Sequence, residues 1–276
     1  MVNIRDLDPD ESASASFGAE LRSTREAQGL KQTEFALLAA YSNSHISAVE
    51  TGRKLPTLRF ARAVDKALRT GTKFERLCRE VRHQTMLEGF PEYVRYEGHA
   101  REIRLFESGI IPGLLQTRAY ARALAQAAVD RGVITQEQAA ERVDFLAERQ
   151  AAIERTPPPV VQVVLDESCL RREVGGREVM LEQFQRLIEF ARLPHTTLQV
   201  VPYSVGARRA FDLPVHLLTL PDRSMIGYAE SQFQGHLDRE SQFVDSVLAA
   251  YYQLQNEALS QAASVAMIEQ VRKGTP

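Results

Sequence analysis

The sequence predicts a mainly α-helical protein with an α+β C-terminal part, and three observations predict it. Residues 29–56, GLKQTEFALLAAYSNSHISAVETGRKLP, hold two short helical patterns separated by a tight break. Apolar residues then recur largely at helical spacing from Thr57 to Ile153. After Thr156-Pro157-Pro158-Pro159 the character changes to short β-branched runs alternating with helical ones, which reads as one small sheet with flanking helices. With 276 residues the chain has room for one large or two ordinary domains. The expected division is a disordered tail over 1–16, a five-helix domain over 17–85, and a C-terminal domain over 86–272, in which a helical segment precedes the sheet.

The N-terminal MVNIRDLDPDESASAS is acidic and rich in Ser and Ala, unlike a secretory signal. A first helix runs from about Phe17 to Gln28, with Phe17, Leu21 and Arg25 on its inner face, and Gly29 ends it. Gln32 and Thr33 open the second helix, where Phe35, Ala36 and Ala39 share a face. Ala40-Tyr41 is the break. Ser42 is a good N-cap, because its hydroxyl can accept a backbone N–H two or three residues on. Ile46 and Val49 face the same core. Gly52 is free to take the left-handed conformation that ends a helix, and Pro56 bars its continuation. Two short helices so joined read as a helix-turn-helix. The outward positions of the second, Asn43, Ser44, His45, Ser47 and Ala48, are small or polar, which suits hydrogen bonding to base edges in a major groove. Apolar spacing alone equally describes an ordinary helical hairpin with a solvated face.

The order of residues is more specific. Leu21, Arg25, Gly29-Leu30, Gln32, Glu34-Phe35-Ala36, Ser42, Ile46-Ser47, Val49-Glu50, Gly52-Arg53 and Pro56 make the stretch from Phe17 to Leu68 resemble the phage-repressor-like (Xre-type) helix-turn-helix family. The resemblance implies that Gln32 caps the second helix and contacts phosphate or base, and that Asn43, Ser44 and His45 enter the major groove. It also implies a partly buried ion pair between Arg25 and Glu50. The DNA-contacting set expected on these grounds is Gln32, Thr33, Ser42, Asn43, Ser44, His45, Ser47, Arg53 and Lys54. The chain departs from the family at Ala40, where Gly is usual. Alanine at positive φ costs roughly 1 kcal/mol, so a slightly different turn is expected there.

A fourth helix from about Thr57 to Leu68 puts Leu58, Ala61, Val64 and Leu68 inward, and a fifth from about Lys73 carries Phe74, Leu77 and Val81. Gly89-Phe90-Pro91 marks a transition. Glu92 to Phe106 reads as a helix on the spacing of Tyr96, Ala100, Ile103 and Phe106. Pro112-Gly113 forces a turn between apolar residues. Thr117 caps a helix from Arg118 to about Val129, and Thr135 one through Ile153. Strands follow at Val160–Leu165, Thr197–Val201, Val215–Leu220 and Met225–Glu230. Helices are expected at Val179–Arg192 and over Leu237–Leu259, the latter with Phe243, Val247, Ala250, Leu254 and Leu259 inward.

From Tyr96 onward a second resemblance emerges, carried above all by Pro112-Gly113-Leu114-Leu115-Gln116-Thr117. Further matches are Tyr120-Ala121-Arg122, Arg149-Gln150, Asp166-Glu167, Leu170-Arg171, Val200-Val201-Pro202 and Tyr228 with Glu230. These resemble the DUF5753 domain of WhiJ-like, antitoxin-like actinobacterial regulators. The resemblance implies a small protein partner of the DUF397 type and roles in development or antibiotic production. Candidate partner- or effector-binding residues are Gln116, Arg122, Arg149, Glu167, Arg171 and Glu230. For Arg122, Arg149 and Glu230 a structural ion pair is an equal alternative, since charges beside apolar turns are costly unless paired.

Charge and chemistry narrow the function further. The net charge of −2 is uneven: Phe17 to Thr85 carries 13 basic and 7 acidic residues, whereas 1–16 has one Arg against four acids. A basic module on an acidic body suits a nucleic-acid binder whose other part meets something else. Arg53 and Lys54 are the best phosphate candidates, and the later arginines read better as solubilising helix surface. Cys78 and Cys169 allow no disulfide framework and no zinc spacing, and no metal or cofactor is expected. No apolar run approaches the roughly 20 residues of a membrane span, so the cytoplasm is expected. Ser168-Cys169 with His195 lacks the signature of a nucleophile site, and Gly175-Gly176 lacks that of a nucleotide loop. The reading is therefore not an enzyme but a homodimeric, sequence-specific DNA-binding transcription regulator. Its C-terminal domain receives a small protein or a small-molecule effector. The alternatives are an antitoxin-like protein that sequesters its partner and a small-molecule-responsive repressor.

Overall fold

A computed structural model of the chain describes residues 13–84, 89–230 and 235–274. By its internal contacts the chain divides into two compact units, Met1–Met86 and Leu87–Pro276. The expected tail over 1–12 lies outside the described residues. Ala13 to Ser16 is instead the first turn of a helix, with Ala15 buried.

The first unit is five helices: α1 (Ala13–Ala27), α2 (Gln32–Ala39), α3 (Asn43–Glu50), α4 (Leu58–Leu68) and α5 (Lys73–Gln84). Phe17, Leu21, Phe35, Ile46, Val49, Phe60, Val64 and Phe74 form their common core, with Phe17 edge-on to Phe74 at 5.5 Å between ring centroids. Side-chain caps set the helix starts: the Ser42 hydroxyl accepts from the His45 N–H, and that of Thr57 from the Phe60 N–H. Asp65, buried on α4, accepts from the Phe74 and Glu75 N–H groups at 2.9 Å and from the Thr70 hydroxyl at 2.6 Å, so a carboxylate from one helix caps the next. In the turn Ala40 takes the left-handed conformation itself, at φ 58° and ψ 42°, and its strain is borne by the packing of α2 and α3 on either side. Gly18 has a different reason to be glycine: a Cβ there would lie 2.5 Å from the Val49 carbonyl oxygen, so α1 approaches the end of α3 backbone to backbone.

The second unit is built on a mixed sheet of order β3-β2-β1-β4-β5-β6. Its strands are β1 (Glu102–Glu107), β2 (Val160–Asp166), β3 (Thr196–Val201), β4 (Val215–Thr219), β5 (Met225–Glu230) and β6 (Gly235–Asp238). β1, β2 and β3 are parallel, whereas β4, β5 and β6 continue antiparallel. Parallel neighbours need long crossovers. α7 (Arg118–Asp130) and α8 (Gln136–Ile153) fill the first, after α6 (Phe90–Glu97) has led into β1. The short α9 (Ser168–Arg171) and α10 (Arg177–Ala191) fill the second. α11 (Ser241–Glu257) and α12 (Gln261–Lys273) close the chain on opposite faces. One face of the sheet packs on α10 and α12 through Leu105, Val163, Leu165, Phe184, Leu187 and Ile268. The other packs on α11 through Phe106, Val164, Leu217, Val244, Tyr251 and Leu254.

Two expected elements are corrected here. The helix expected over Glu92–Phe106 ends at Glu97, and β1 begins at Glu102. The spacing Ala100, Ile103, Phe106 imitates a helix face, but Ile103 and Leu105 line one side of the sheet and Phe106 the other. The helix expected over Leu237–Leu259 begins only at Ser241, because Gly235–Asp238 is the edge strand β6 and the Asp238 carboxylate accepts the Glu240 N–H at 2.7 Å. Its inner face is Val244, Tyr251 and Leu254, while Phe243 is 44% exposed. The sheet therefore has six strands where four were expected.

The turn and the close approach are open to direct test. Ala40→Gly should raise the unfolding free energy of the first unit by about 1 kcal/mol, by relieving positive φ. Gly18→Ala should lower it by about 1–3 kcal/mol, the usual cost of overpacking. Urea titration followed by far-UV circular dichroism measures both.

Candidate nucleic-acid interface

α3 divides cleanly. Ile46, Val49 and Glu50 are buried; Asn43 and Ser44 are exposed at its N-terminal end; Ser47 and Ala48 are half-buried on the flank. The exposed residues sit where the helix N-terminus carries partial positive charge. The Ser42 hydroxyl is engaged as the cap and lies 3.0 Å from the Ser44 hydroxyl, which fixes the first turn. Lys31 and Thr33 are exposed at the start of α2, and Arg53 is exposed past the end of α3, its Nε donating to the Thr51 hydroxyl at 2.9 Å.

Two of the expected contact residues are placed otherwise. Gln32 is not the cap of α2: Lys31 holds that position, with its N–H donating to the Glu34 carboxylate at 2.7 Å, and the Gln32 amide donates to Glu50 at 2.9 Å. His45 turns toward the core rim. Its ring lies 4.6 Å from that of Tyr41 and 5.0 Å from that of Phe60, and its Nδ1 is 3.3 Å from the Lys54 ammonium. The imidazole and Lys54 thus brace each other beside α3. Helical periodicity placed His45 outward because it ignores an aromatic neighbour recruited from α4.

The presentation of α3 depends on one buried carboxylate. Glu50, 2% exposed, accepts from Arg25 Nε at 2.6 Å, from Arg25 Nη2 at 3.0 Å and from Gln32. Arg25 Nη1 also donates to the Leu30 carbonyl at 2.7 Å. Hydrogen bonding to Glu50 raises the Arg25 guanidinium above its ordinary range against the opposing effect of burial. α1, the start of α2 and the end of α3 are held by this group. Farther along, Arg62 and Arg79 both pair with Glu75, and Lys73 with Glu20. Arg62 and Lys73 thereby tie α4 and α1 to α5, and Arg79 pairs within α5 itself.

In the second unit five of the six expected effector residues are engaged in hydrogen bonds or ion pairs within the fold. Gln116 is buried, and its amide donates to the Ile111 carbonyl at 2.7 Å. It belongs to a clasp: the Gln150 amide donates to the Gly113 and Gln116 carbonyls, and the Gln183 amide to that of Leu115. The Pro-Gly-Leu-Leu-Gln-Thr turn is thereby satisfied by three glutamines. Arg149 forms a two-pronged pair with the buried Glu97, both bonds 2.9 Å. Burial opposes its charge, but Glu97 holds it firmly protonated. Glu167 accepts from Arg171 Nε at 3.0 Å and from the Tyr203 N–H at 2.9 Å, and Glu230 accepts from the Tyr228 hydroxyl at 2.8 Å. Arg122 alone of the six lies exposed without a hydrogen-bond or ion-pair partner among the described residues, along a groove between α7 and α8. Residues the sequence did not single out complete the buried polar group. Tyr93 donates to Glu97 at 2.7 Å and stacks on Tyr228 at 4.4 Å, and His216 lies 3.0 Å from Glu107. The spacing of Tyr93 and Glu97, four apart on one helix face, was the signal available.

The considered nucleophile has no base. His195 precedes β3 and Cys169 follows β2; since those strands are parallel, the two lie at opposite ends of the sheet. Burial, reinforced by the charge of Glu107, pushes the Cys169 thiol up to about 12. Among the described residues no group of three His, Cys, Asp or Glu is arranged to hold a metal, and no helix is long and apolar enough to cross a membrane.

The comparisons agree with this division. A family model described as a helix-turn-helix domain matches residues 16–77, and one described as a domain of unknown function (DUF5753) matches residues 90–270. No curated protein and no solved structure matches the chain.

Removing the carboxylate under α3 leaves the buried Arg25 with only the exposed Glu26, 3.2 Å from its Nη2, as an ionic partner. Glu50→Ala should therefore cost about 3–5 kcal/mol of stability in the first unit. Gln32→Ala, which deletes one of three bonds, should cost about 1 kcal/mol. Denaturant unfolding of each variant measures the difference.

Proposed function

The chain belongs to the DUF5753 family and carries a helix-turn-helix domain ahead of that domain, and from this premise, which makes it a DNA-binding regulator, we propose that it is a cytoplasmic, sequence-specific transcription regulator acting as a homodimer. Residues 17–85 are its DNA-binding domain, and 86–272 receive a small protein or small-molecule signal. The observation that carries the reading is the exposed Asn43-Ser44 end of α3, braced from behind by Glu50 and flanked by Lys31, Thr33 and Arg53. Asn43 and Ser44 read base edges; Lys31, Thr33, Arg53 and Lys54 engage phosphate; His45 and Gln32 set the pose of α3. Two protomers on half-sites about one helical turn, ~34 Å, apart give a palindromic operator. Pairing through the outer side of α11 is supported by its chemistry. Between 242 and 256 its exposed residues include Phe243, Ser246, Ala249, Tyr252 and Gln253, and Asp245 is the one charge among them. A face with so little charge can meet its own copy across a two-fold axis without like-charge repulsion.

The test is titration of labelled DNA from the region upstream of the protein's own gene against random DNA of the same length, at two salt concentrations. Asn43→Ala should weaken the specific site by about 1–3 kcal/mol and relax its discrimination. Arg53→Gln should weaken both DNAs alike and reduce the salt slope by about one. Unchanged discrimination in Asn43→Ala and Ser44→Ala would remove α3 as the reading element.

A further inference from the structure

Where α9, α10 and the end of α12 meet, the second unit has a cavity of about 360 Å³, within the usual size of small-molecule sites. Its floor is apolar. Leu170, Met180 and Phe184 are almost fully buried, and Leu181 and Val271 are partly so. Its rim is cationic: Arg171, Arg177 and Arg272 line it, against Glu173 as the one carboxylate of the lining.

The three guanidiniums are not equally occupied. Arg171 is tied to Glu167, and Arg272 Nη1 donates to the neutral Gln185 amide oxygen at 3.0 Å. Arg177 has no ion-pair partner among the described residues. It is the first residue of α10, whose N-cap, Gly176, has no side chain to satisfy the first turn. Arg177, Met180, Leu181 and Phe184 then descend one face of the helix from rim to floor. A cationic mouth over an apolar base excludes a cation and gives a fully polar anion nothing to cover the base. It fits a molecule with both properties.

We propose that this cavity binds an amphipathic anion, a compact apolar body bearing one carboxylate or phosphate. The head is received by Arg177 and Arg272, and the body is laid on Met180, Leu181, Phe184 and Val271. The inference deepens the receiving role proposed for this unit and rests on that role for its purpose, not for the binding. An occupant bridges α9, α10 and α12, the last of which packs against β3 and α10, so it stiffens the packing of that side of the sheet.

The experiment is calorimetric titration of the full chain with decanoate, decanol and decyltrimethylammonium, each below its micelle concentration. Decanoate should bind saturably at one per chain. Decanol should bind at least tenfold more weakly, and the ammonium not measurably. Arg177→Gln should weaken decanoate at least tenfold and leave decanol unchanged. Leu181→Gln, checked for folding by circular dichroism, should weaken both. Equal binding of decanoate and the ammonium, an unaffected Arg177→Gln, or no binding of decanoate overturns the proposal. DNA affinity is read separately. Decanoate that binds the cavity without altering it leaves the site standing and removes the receiving role. Selective DNA binding by a chain that ignores decanoate does the reverse.

Discussion

Everything the first unit presents to its surroundings depends on the burial of the Glu50 carboxylate. A charge so placed is tolerable only when its oxygens are filled, and Arg25 and Gln32 fill them from two other helices. α3 is only eight residues long, too short to hold itself helical in water. Its apolar side gives it a place in the core; the Glu50 group gives it an angle. With that angle set, the N-terminal end carrying Asn43 and Ser44 projects as a fixed edge, and His45, packed against Tyr41 and Phe60, stops the helix from rolling.

The second unit uses polar groups in the same way, for framing. Gln116, Gln150 and Gln183 satisfy the carbonyls of a turn whose side chains Leu114 and Leu115 are buried, which lets irregular backbone enter the core without unpaired acceptors. Arg149 and Glu97 join α8 to α6 in the same manner. A residue set that stands out in sequence for its polar character is thus largely consumed by structure. Among the described residues Arg122 on α7 and Arg177 on α10 are left outside these pairs.

The legible parts of the sequence were those governed by local rules. Ser42, Thr117 and Thr135 cap where capping chemistry puts them, and proline and glycine stop helices where their backbones require it. The misread parts were governed by distant partners. β1 is buried on both faces at the middle of the sheet, so its apolar residues do not alternate, and the spacing of Ala100, Ile103 and Phe106 passed for a helix. β6 is four residues at an edge, too short for a periodic signal. The group of Tyr93, Glu97, Arg149 and Tyr228 unites α6, α8 and β5, whose proximity only the sheet order creates. His45 was read as outward, and Gln32 as the cap of α2, because nothing local reports Phe60 or Glu50 as their neighbours.

The position of β1 also orders events in time. The first unit is closed by contacts within its own 86 residues, of the local kind that forms fast. β1 pairs Glu102 with Val160 on one side and with Thr219 on the other. The strand laid down first in that sheet can pair with β2 early, but its other edge stays open until β4 leaves the ribosome. During synthesis the helix-turn-helix unit can close while the sheet of the second unit still lacks the pairing of β1 with β4. The newborn chain therefore passes through an interval in which a closed helical unit is followed by a sheet with an unpaired edge.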